Sequence, residues 1–467
     1  MQIPILSGIF TDESGDFRTA YPVNLSPVPM ETGLSKGYLR PIEGLFQNGT
    51  SPGGASRGGI EWNGVCYRVL GTILVSIASN GTVTAIGSVG SGGHCTFDFS
   101  FDRLAISSGG SLYYYDGATL TKVTDVDIGT CLDIIWVDGY FMSTDGEYLV
   151  VSDLADPFSF NVLKYGSSEI DPDPINSVMK LRNEVYAVNR NTIEVFRNVG
   201  GSGFPFERIT GAQIQKGSVG TFASCVFNEA IAFVGGGRNE AVSVYMGAKA
   251  QSVKIASTEV ETILAGYTKA QQSLIVLEAR AGVGINHLWL RLPDRTLVYD
   301  IDASSLAGVP IWYVMTGGLS GFSAYPGGDL VFCYDSWLVA NPVGVELGYL
   351  VSDESKQWGD DARWEFSTAI LFGEGKGVIF NSLELVCLTG RVEPGKTPTI
   401  STSYSVDGET WSQDRTIAAG TTGDRAKRLV WYKNGHMRNW RVQRFQGTSE
   451  SYLSIARLDA QLEALQV

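Results

Sequence analysis

Short runs of alternating apolar and polar residues recur along most of the chain in one arrangement. Each run is followed by a turn built on Gly, Asn or Asp and then by a second run rich in Tyr, Val and Ile, as in Trp62-Asn-Gly-Val-Cys-Tyr67. Alternation at every second residue is typical of a strand with one buried face, so each copy predicts a hairpin. Seven such units open near Gly59, Cys95, Cys131, Ser177, Phe222, Ala265 and Phe322.

The spacing and the turns of these units favour a β-propeller. Consecutive units open about 36 to about 57 residues apart, which brackets the ~40 to 50 residues of one propeller blade. Four-stranded blades bury both their faces only by packing around a common axis. We therefore predict about seven blades, with six or eight compatible, and keep two stacked β-sandwiches as the alternative. The turns contain dipeptides that supply positive φ angles for tight hairpins, namely Asn80-Gly81, Asp116-Gly117, Asp138-Gly139 and Asp145-Gly146.

The pattern changes around residues 351–364, where charged residues cluster around Trp358. We interpret this stretch as a linker to a C-terminal β-sandwich of about 100 residues, ending in a short helix through Leu458, Leu462 and Leu465. The predicted division is an N-terminal segment packing on the propeller (1–50), the β-propeller (51–355) and the β-sandwich with a short tail (356–467). The clearer strands of the sandwich are predicted at 365–372, 378–388, 399–405, 428–432, 439–445 and 452–458.

Composition agrees with an all-β fold and limits the partners. The chain has 56 Gly, 20 Tyr, 21 Phe and a net charge of −14. From residue 361 onward 13 basic residues face 12 acidic ones, which leaves 22 basic and 37 acidic residues in 1–360. An acidic repeat region argues against binding nucleic acid through its phosphates. Residues 1–10 lack the features of a secretory signal, and no segment is predicted to insert into a membrane.

Residues that usually carry catalysis or bind metals are sparse and scattered. His94, His287 and His436 have no second His or Cys at ligand spacing, and the six cysteines lie tens of residues apart. The glycine-rich stretch 373–377 lacks the Ser or Thr that follows the Lys of a phosphate-binding loop. We therefore predict buried thiols in a reducing compartment, and no catalytic, cofactor-binding or metal site.

Two pairs of acids leave an enzymatic alternative open. Acid and base catalysis on a sugar needs two carboxyl groups across the substrate, so a propeller glycosidase or lectin for host surface polysaccharide is the second hypothesis. The segment Ser405-Val-Asp-Gly-Glu-Thr-Trp411 resembles the Asp-box turn of sialidase-type propellers, shortened by one residue. We interpret it as a β-turn whose Asp407 accepts backbone hydrogen bonds. The candidate acids are Asp171, Asp173, Asp300 and Asp302.

One segment is strongly basic, in contrast to the acidic repeat region. Between residues 425 and 444 there are seven basic residues and no acidic ones, interleaved with Trp431, Tyr432 and Trp440. An acidic protein surface is the preferred counterpart, with a solvated strand face and a nucleic-acid surface as alternatives. The candidate partner-facing residues are Arg425, Lys427, Arg428, Lys433, Arg438, Arg441 and Arg444.

Several motifs, taken in order, resemble the packaged-DNA stabilisation or tail hub proteins of short-tailed, P22-like bacteriophages. They include Tyr21-Pro-Val-Asn-Leu25, Gly37-Tyr-Leu-Arg40 and Thr192-Ile-Glu-Val-Phe196. The most distinctive is Gln215-Lys-Gly-Ser-Val-Gly-Thr221. Together the motifs extend over nearly the whole chain.

This resemblance implies a structural role in the virion. Six copies would form a ring below the portal and its adaptor, completing the head-to-tail channel after DNA packaging. The ring would receive the tail needle, support the tailspikes and retain the packaged DNA until genome ejection. Its expected partners are further copies of itself, the portal adaptor, the needle and the tailspike, with assembly in the bacterial host cytoplasm and no sequence-specific binding of nucleic acid.

Overall fold

In the computed structural model the structure describes residues 1–6, 8–11, 17–30, 37–154, 156–372 and 377–465. Most of the stretch 373–377 and the last two residues of the predicted tail lie outside these ranges. No helix among the described residues is both long enough and apolar enough to span a bilayer. The chain begins with six strands: β1 (Gln2–Ile3), β2 (Gly8–Thr11), β3 (Phe17–Ala20), β4 (Leu25–Val28), β5 (Tyr38–Pro41) and β6 (Gly44–Thr50).

The middle of the chain forms seven antiparallel sheets. Blade 1 comprises β7 (Ser56–Trp62), β8 (Val65–Leu70), β9 (Ile73–Ile77) and β10 (Val83–Ser88), and blade 2 comprises β11 (Thr96–Phe99), β12 (Leu104–Ser108), β13 (Ser111–Tyr115) and β14 (Leu120–Lys122). Blade 3 comprises β15 (Asp133–Val137), β16 (Tyr140–Thr144), β17 (Tyr148–Val151) and β18 (Gly166–Ser167), and blade 4 comprises β19 (Ile175–Leu181), β20 (Glu184–Asn189), β21 (Ile193–Asn198) and β22 (Phe206–Ile214). Two 3₁₀ helices, Val126–Ile128 and Val162–Lys164, lie in loops of blades 2 and 3.

The remaining three blades follow in the same order. Blade 5 comprises β23 (Gly217–Ser218), β24 (Ser224–Phe227), β25 (Ala230–Gly236), β26 (Ser243–Ala248) and β27 (Gln251–Lys254), and is followed by the helices α1 (Thr258–Ala265) and α2 (Lys269–Gln272). Blade 6 comprises β28 (Val276–Gly282), β29 (Ile285–Arg291), β30 (Thr296–Asp300) and β31 (Ile311–Met315), with α3 (Ile301–Ala307) between its last two strands. Blade 7 comprises β32 (Gly328–Cys333), β33 (Ser336–Ala340) and β34 (Glu346–Val351), and its fourth strand is β6.

The seven sheets close into a ring. The innermost strands contact one another in the order β7, β11, β15, β19, β24, β28, β32, and β32 contacts β7. The ring is completed by β6, which pairs antiparallel with β34 in a register that places Phe46 opposite Tyr349. A strand from the N-terminal part of the chain thus finishes the last blade, which confirms the predicted propeller.

Alternation along the strands explains why the blades stack. In β20, Val185 and Ala187 belong to the apolar cluster shared with blade 3, whereas Tyr186 and Val188 belong to the cluster shared with blade 5. Because both faces of this strand are buried, its four central residues, Val185 to Val188, are aliphatic or aromatic. The hairpin turn at Asp138-Gly139 has φ angles of 48° and 91°, the arrangement that matches the twist of the flanking strands.

The predicted unit opening at Ala265 is wrong, because that residue ends α1 and blade 6 begins at β28. The helix places Val260 and Leu264 in the core beside blades 5 and 6. These two residues are four apart, which is the spacing of one face of a helix and not of a strand. Ser257 caps α1, and Thr268 forms a capping box with Gln271 at the start of α2. Such capping residues are sequence signs of a helix start, but here they stand within a repeat pattern that indicates strands.

The C-terminal part forms a β-sandwich, as predicted. One sheet has the strand order β4, β5, β43, β37, β40, with β1 paired to β43 and β41 paired to β37. The other has the order β35, β42, β38, β39, with β36 paired to β42. The strands are β35 (Arg363–Ser367), β36 (Leu371–Phe372), β37 (Val378–Leu388), β38 (Thr399–Ser405), β39 (Arg415–Ala418), β40 (Leu429–Tyr432), β41 (His436–Met437), β42 (Trp440–Thr448) and β43 (Ser454–Ala464).

The short helix expected at the C-terminal end is a further error, since β43 continues as a strand to Ala464. Ile455, Leu458 and Ala460 are buried while Arg457 is exposed and Asp459 half-exposed, and the strand lies between β37 and β5 in the sheet. Pairing on both sides outweighs the weak helical spacing of its leucines.

The first fifty residues are shared between both modules. Ile3, Leu25 and Leu39 lie in the same buried cluster as Phe380 and Phe445 of the sandwich. We therefore propose a division in which β1, β4 and β5 belong to the sandwich and β6 belongs to the propeller.

The sandwich lies on the outer side of blade 6. Val23 forms a bridge to Val314 of β31 and another to Glu365 of β35. The side chain of Asn24 donates hydrogen bonds to the carbonyl oxygens of Thr316 (3.0 Å) and Arg363 (2.7 Å). Val23 and Asn24, which lie just before β4, thereby connect blade 6 of the propeller to β35 of the second sandwich sheet.

Candidate partner interface

The basic segment lies at the edge of the sandwich farthest from the propeller. In the sheet order given above, β4 is one edge strand and contacts β31 of blade 6. The opposite edge is formed by β40 and β41, and residues 425–438 lead into these strands and join them. The topology therefore presents this segment at the outer end of the molecule.

Arg441 does not belong to this surface, and its assignment as partner-facing is corrected here. Its side chain is 0% exposed, and its guanidinium carbon lies 4.0 Å and 4.1 Å from the ring centres of Phe380 and Tyr404. It donates to the carbonyl oxygen of Asn434 (2.7 Å) and to Oε1 of Gln443 (3.0 Å). Burial lowers the pKa of Arg441 to about 10, so the group is a charged part of the core at neutral pH.

Two more of the seven basic residues are engaged within the sandwich. The guanidinium of Arg444 lies 4.1 Å from the ring centre of Trp411 and donates to the hydroxyl of Ser403 at 3.1 Å. Arg428 makes a two-point contact with Glu384 on the neighbouring strand, with distances of 2.7 and 2.6 Å. Exposed pairs of this kind contribute little to stability, but they reduce the charge that is open to a partner.

The remaining four basic residues define what we call the basic edge. Arg425, Lys427, Lys433 and Arg438 are exposed, and none has an ion pair within the part of the chain that the structure describes. Unpaired cations on one edge of an otherwise acidic protein form a surface suited to an acidic partner. Their role as partner-facing residues stays a prediction.

A groove of about 500 Å³ lies within the basic edge. Ile379 and Leu465 contribute partly exposed apolar surface, Phe380 is fully buried, and Lys433 and Arg438 contribute positive charge. The lining also includes Asn381, Gly435 and His436. The groove therefore combines partly exposed apolar side chains with exposed cations.

The turn that carries Lys433 is held in place by neighbouring side chains. Arg415 donates to the carbonyl oxygens of Lys433 (2.8 Å) and Tyr432 (2.6 Å). Asn434 is buried and donates to the carbonyl oxygen of Trp431 at 2.6 Å. Because these bonds satisfy the backbone of the turn, the groove is preformed.

A second charged surface, which the motif search did not single out, lies on blades 2 and 3. Burial, and then the carboxylates of Asp145, Asp127 and Asp125, raise the pKa of Tyr165. Glu147, Asp145 and Glu169 act similarly on Tyr148, whose ring centre lies 5.6 Å from that of Tyr165. We call this surface the acidic rim, and it comprises Asp125, Asp127, Asp145, Glu147 and Glu169.

The acidic rim has a signal in the sequence. Residues 98–175 contain 14 Asp and Glu against three Lys and Arg, so this stretch carries −11 of the net charge of −14. None of the five rim carboxylates forms an ion pair with a described residue. A count of charges by blade, in place of one value for the whole repeat region, would have located it.

The acids considered for catalysis have structural contacts. Asp173 accepts hydrogen bonds from the backbone of Asn191 and the hydroxyl of Thr192, and Asp171 forms an ion pair with Arg238. Asp300 caps α3 by accepting from the amide of Ala303 at 2.9 Å, and Asp302 lies in the first turn of that helix. These carboxylates stabilise loops and a helix end.

His94, His287 and the cysteines are likewise part of the fold. His94 lies beside Asp329 near the propeller axis, and burial lowers its pKa to about 4. His287 is buried against Asp300, and all six cysteines are free thiols, four of them buried. Among the described residues no group of three or more His, Cys, Asp or Glu side chains could hold a metal ion.

The Asp-box-like turn has the predicted structure. Oδ1 of Asp407 accepts from the amides of Glu409 (3.0 Å) and Thr410 (2.8 Å). Asp116 and Asp145 accept from the second and third residues that follow them in the same way. The same side chain thus closes turns in the propeller and in the sandwich.

Comparison with known proteins matches both modules in order. A family model described as the β-propeller of bacteriophage P22 Gp10 matches residues 1–355, and a second, described as its β-sandwich, matches residues 363–463. The tail hub protein gp10 of Salmonella phage P22 is 27% identical over 459 residues, which cover 94% of each chain.

Solved structures of other proteins are similar to this chain at lower sequence identity. The N-terminal domain of Nup159 has a TM-score of 0.41 at 12% identity, covering 69% of this chain and 98% of its own. The WD40 domain of Neurospora crassa Pan2 has a TM-score of 0.40 at 10% identity, covering 71% and 99% respectively.

Proposed function

Because the chain belongs to the bacteriophage P22 Gp10 family, we propose that it is a structural tail hub protein of a short-tailed phage virion. The observation that carries this proposal is the match of both family models, in order, over nearly all of the chain. The P22 relative, which is named a tail hub protein, aligns over 94% of both chains.

We further propose that the protein completes the head-to-tail channel after DNA packaging. In this role six copies form a ring that binds the portal adaptor, receives the tail needle, supports the tailspikes and retains the packaged DNA. Two stiff modules joined through Val23 and Asn24 provide separate surfaces for several partners. Interfaces of this kind commonly bury a few thousand Å².

The charge of the protein supports a role beside DNA that does not involve gripping it. The net charge of −14 repels a duplex, and a repulsive wall lets DNA pass where a basic wall would retain it. The role proposed is therefore non-enzymatic, and the glycosidase or lectin alternative gains no support from the acids that suggested it, because Asp171, Asp173 and Asp300 have structural contacts.

A completion assay tests this function. Purified protein is added to DNA-filled heads that carry portal and adaptor but lack the hub, and the bound copies per particle and the nuclease-protected DNA are both measured. We expect about six copies per particle and a rise in protected DNA. Absence of binding would contradict the hub role, and binding without protection would contradict the role in DNA retention.

A further inference from the structure

We propose that neighbouring copies of this chain meet head to tail, the basic edge of one sandwich docking on the acidic rim of the next propeller. The inference rests on the proposed ring and names the two surfaces that would build it. In this contact the groove of the basic edge binds a second copy of the same protein.

The first support is that the two surfaces are opposite in charge and that each exposes apolar side chains. The groove combines the partly exposed apolar side chains of Ile379 and Leu465 with the exposed cations Lys433 and Arg438. On the acidic rim the 3₁₀ helix Val126–Ile128 begins with Val126, whose side chain is 88% exposed. Val126 lies between Asp125 and Asp127 in the sequence. An apolar knob flanked by carboxylates is the chemical counterpart of an apolar groove flanked by cations.

The second support is that the knob is held rigidly. Asp125 caps the 3₁₀ helix by accepting from the amide of Asp127 at 3.0 Å, and its other oxygen accepts from the amide of Phe160 at 2.8 Å. A Cβ on Gly129 would lie 3.5 Å from that of Asp145, so the helix end packs on the next turn of the rim. Little conformational entropy is lost when such a preformed surface binds.

The third support is the position of the two surfaces. The sandwich contacts blade 6 through β31 and is joined to blade 7 through the linker after β34. The acidic rim lies on blades 2 and 3, separated from these by blade 1 in one direction and by blades 4 and 5 in the other. The basic edge is the outermost strand of the sandwich sheet, so the two surfaces lie at opposite ends of the molecule. Complementary surfaces at opposite ends generate a head-to-tail contact, which closes into a ring when the rotation allows it.

A charge exchange tests the contact. One variant carries Lys433→Glu with Arg438→Glu, and the other carries Glu147→Lys with Glu169→Lys, all four being exposed residues. Each variant alone places like charges at the contact, and we expect its apparent affinity for heads with portal and adaptor to fall about tenfold at 0.15 M salt. An equimolar mixture pairs each reversed surface with its complement, and we expect the mixture to recover wild-type copy number as an alternating ring.

A matched control separates this effect from a general change of charge. Lys249→Glu with Lys269→Glu alters the net charge by the same amount at exposed positions of the blade 5 hairpin and α2, and should assemble as wild type does. Melting curves of all variants check folding. The proposal is overturned if both variants assemble normally, or if the basic-edge variant fails and the mixture does not rescue it, since that edge would then bind the adaptor or nucleic acid.

A zero-length cross-linker distinguishes this contact from the proposed function. Concentrated wild-type protein, half of it ¹⁵N-labelled, is treated with carbodiimide, and we expect mixed-isotope peptides that join Lys433 to the carboxylates of the acidic rim. If these cross-links form but heads bind no protein, the contact stands and the hub role falls. If heads bind protein and the cross-links map elsewhere, the contact falls and the hub role stands. If neither occurs, both fall.

Discussion

Arg441 is predicted from the sequence to face a partner, but in the structure it is buried. In the sequence it begins an alternation, Arg441-Val-Gln-Arg-Phe445, that predicts a strand with one solvated face. In the structure β42 is paired on both sides and covered by the other sheet, so Arg441 and Gln443 are both buried. Charge alone does not reveal burial, because a guanidinium between two aromatic rings and with satisfied donors is stable in a core.

Replacing Arg441 with Ala should destabilise the sandwich strongly. The change removes the cation between Phe380 and Tyr404 and leaves the buried carbonyl oxygen of Asn434 and Oε1 of Gln443 without the hydrogen bonds that Arg441 donates. We expect a loss of about 3 to 5 kcal/mol in the free energy of unfolding, measured by chemical denaturation. Arg438→Ala at the exposed edge is the control and should change stability by less than about 0.5 kcal/mol. Equal effects of the two variants would contradict the buried position.

Asp133 gives a pH-dependent signature. It is buried beside the propeller axis and accepts from the amides of Ile134 (2.8 Å) and Val178 (2.9 Å), and burial raises its pKa to about 6. The folded chain therefore keeps this proton at higher pH than the unfolded chain, whose Asp pKa is about 4. Stability from this group is fully present below about pH 4 and is lost as pH rises through about 6.

The difference between wild type and Asp133→Asn isolates this effect. From pH 4 to pH 6 the unfolding free energy of the wild type should fall by about 2 kcal/mol relative to the variant. Asp116→Asn serves as the control, because backbone hydrogen bonds lower the pKa of Asp116, so its contribution changes in the opposite direction and rises with pH as the unfolded carboxyl ionises near pH 4. A flat difference curve for Asp133→Asn would show that this carboxyl is not desolvated.

At the scale of elements, the most distinctive family motif proves to be a structural turn. Residues 215–221 lead from blade 4 into blade 5, where the inner strand is split into β23 and β24. A Cβ on Gly217 would lie 2.1 Å from the carbonyl oxygen of Asn189, and one on Gly220 would lie 2.5 Å from that of Ser273. The motif is thus glycine-rich because backbone from neighbouring segments occupies the space of a side chain.

Gly217→Ala should accordingly lower the stability of the propeller. Both the new methyl group and the carbonyl of the buried Asn189 are fixed by backbone, so relief requires the blades to shift. We expect a loss of about 3 kcal/mol, seen as a lower melting temperature. Gly93→Ala is matched to it, since a Cβ there meets nothing within 4 Å, and it should melt as wild type does.

The sequence predicted strands best where alternation was long and uninterrupted. The bounds of β37 and β38 coincide with the predicted 378–388 and 399–405. Prediction failed where non-local pairing decides the outcome, as for β43, and where a short helix such as α1 interrupts the repeat. Of the seven candidate partner-facing residues the sequence also could not separate the exposed Lys433 from the buried Arg441, because that depends on which strands lie over β42.

At the scale of the whole molecule, the sandwich depends on residues far away in sequence. Ile3, Ile5, Leu25 and Leu39 contribute to its buried cluster, and β1 and β5 pair with β43. A fragment of residues 356–467 should therefore expose apolar surface and unfold without a cooperative transition. Fusion of residues 1–43 to its N-terminus through a flexible linker should restore a sharp melting curve, whereas a sharp transition in the unfused fragment would contradict the shared core.

The closure of blade 7 by β6 has a consequence for synthesis in the cell. On the ribosome Gly44–Thr50 emerges almost 300 residues before its partner Glu346–Val351, a delay of roughly 15 to 60 s at ~5 to 20 residues per second. During translation the early strand must stay unpaired, with its hydrogen-bonding groups open to other nascent chains. The propeller can therefore close only after about three quarters of the chain has been made, and the sandwich, which needs β43 (Ser454–Ala464), only at its end. We expect newly made chains to engage host chaperones until termination.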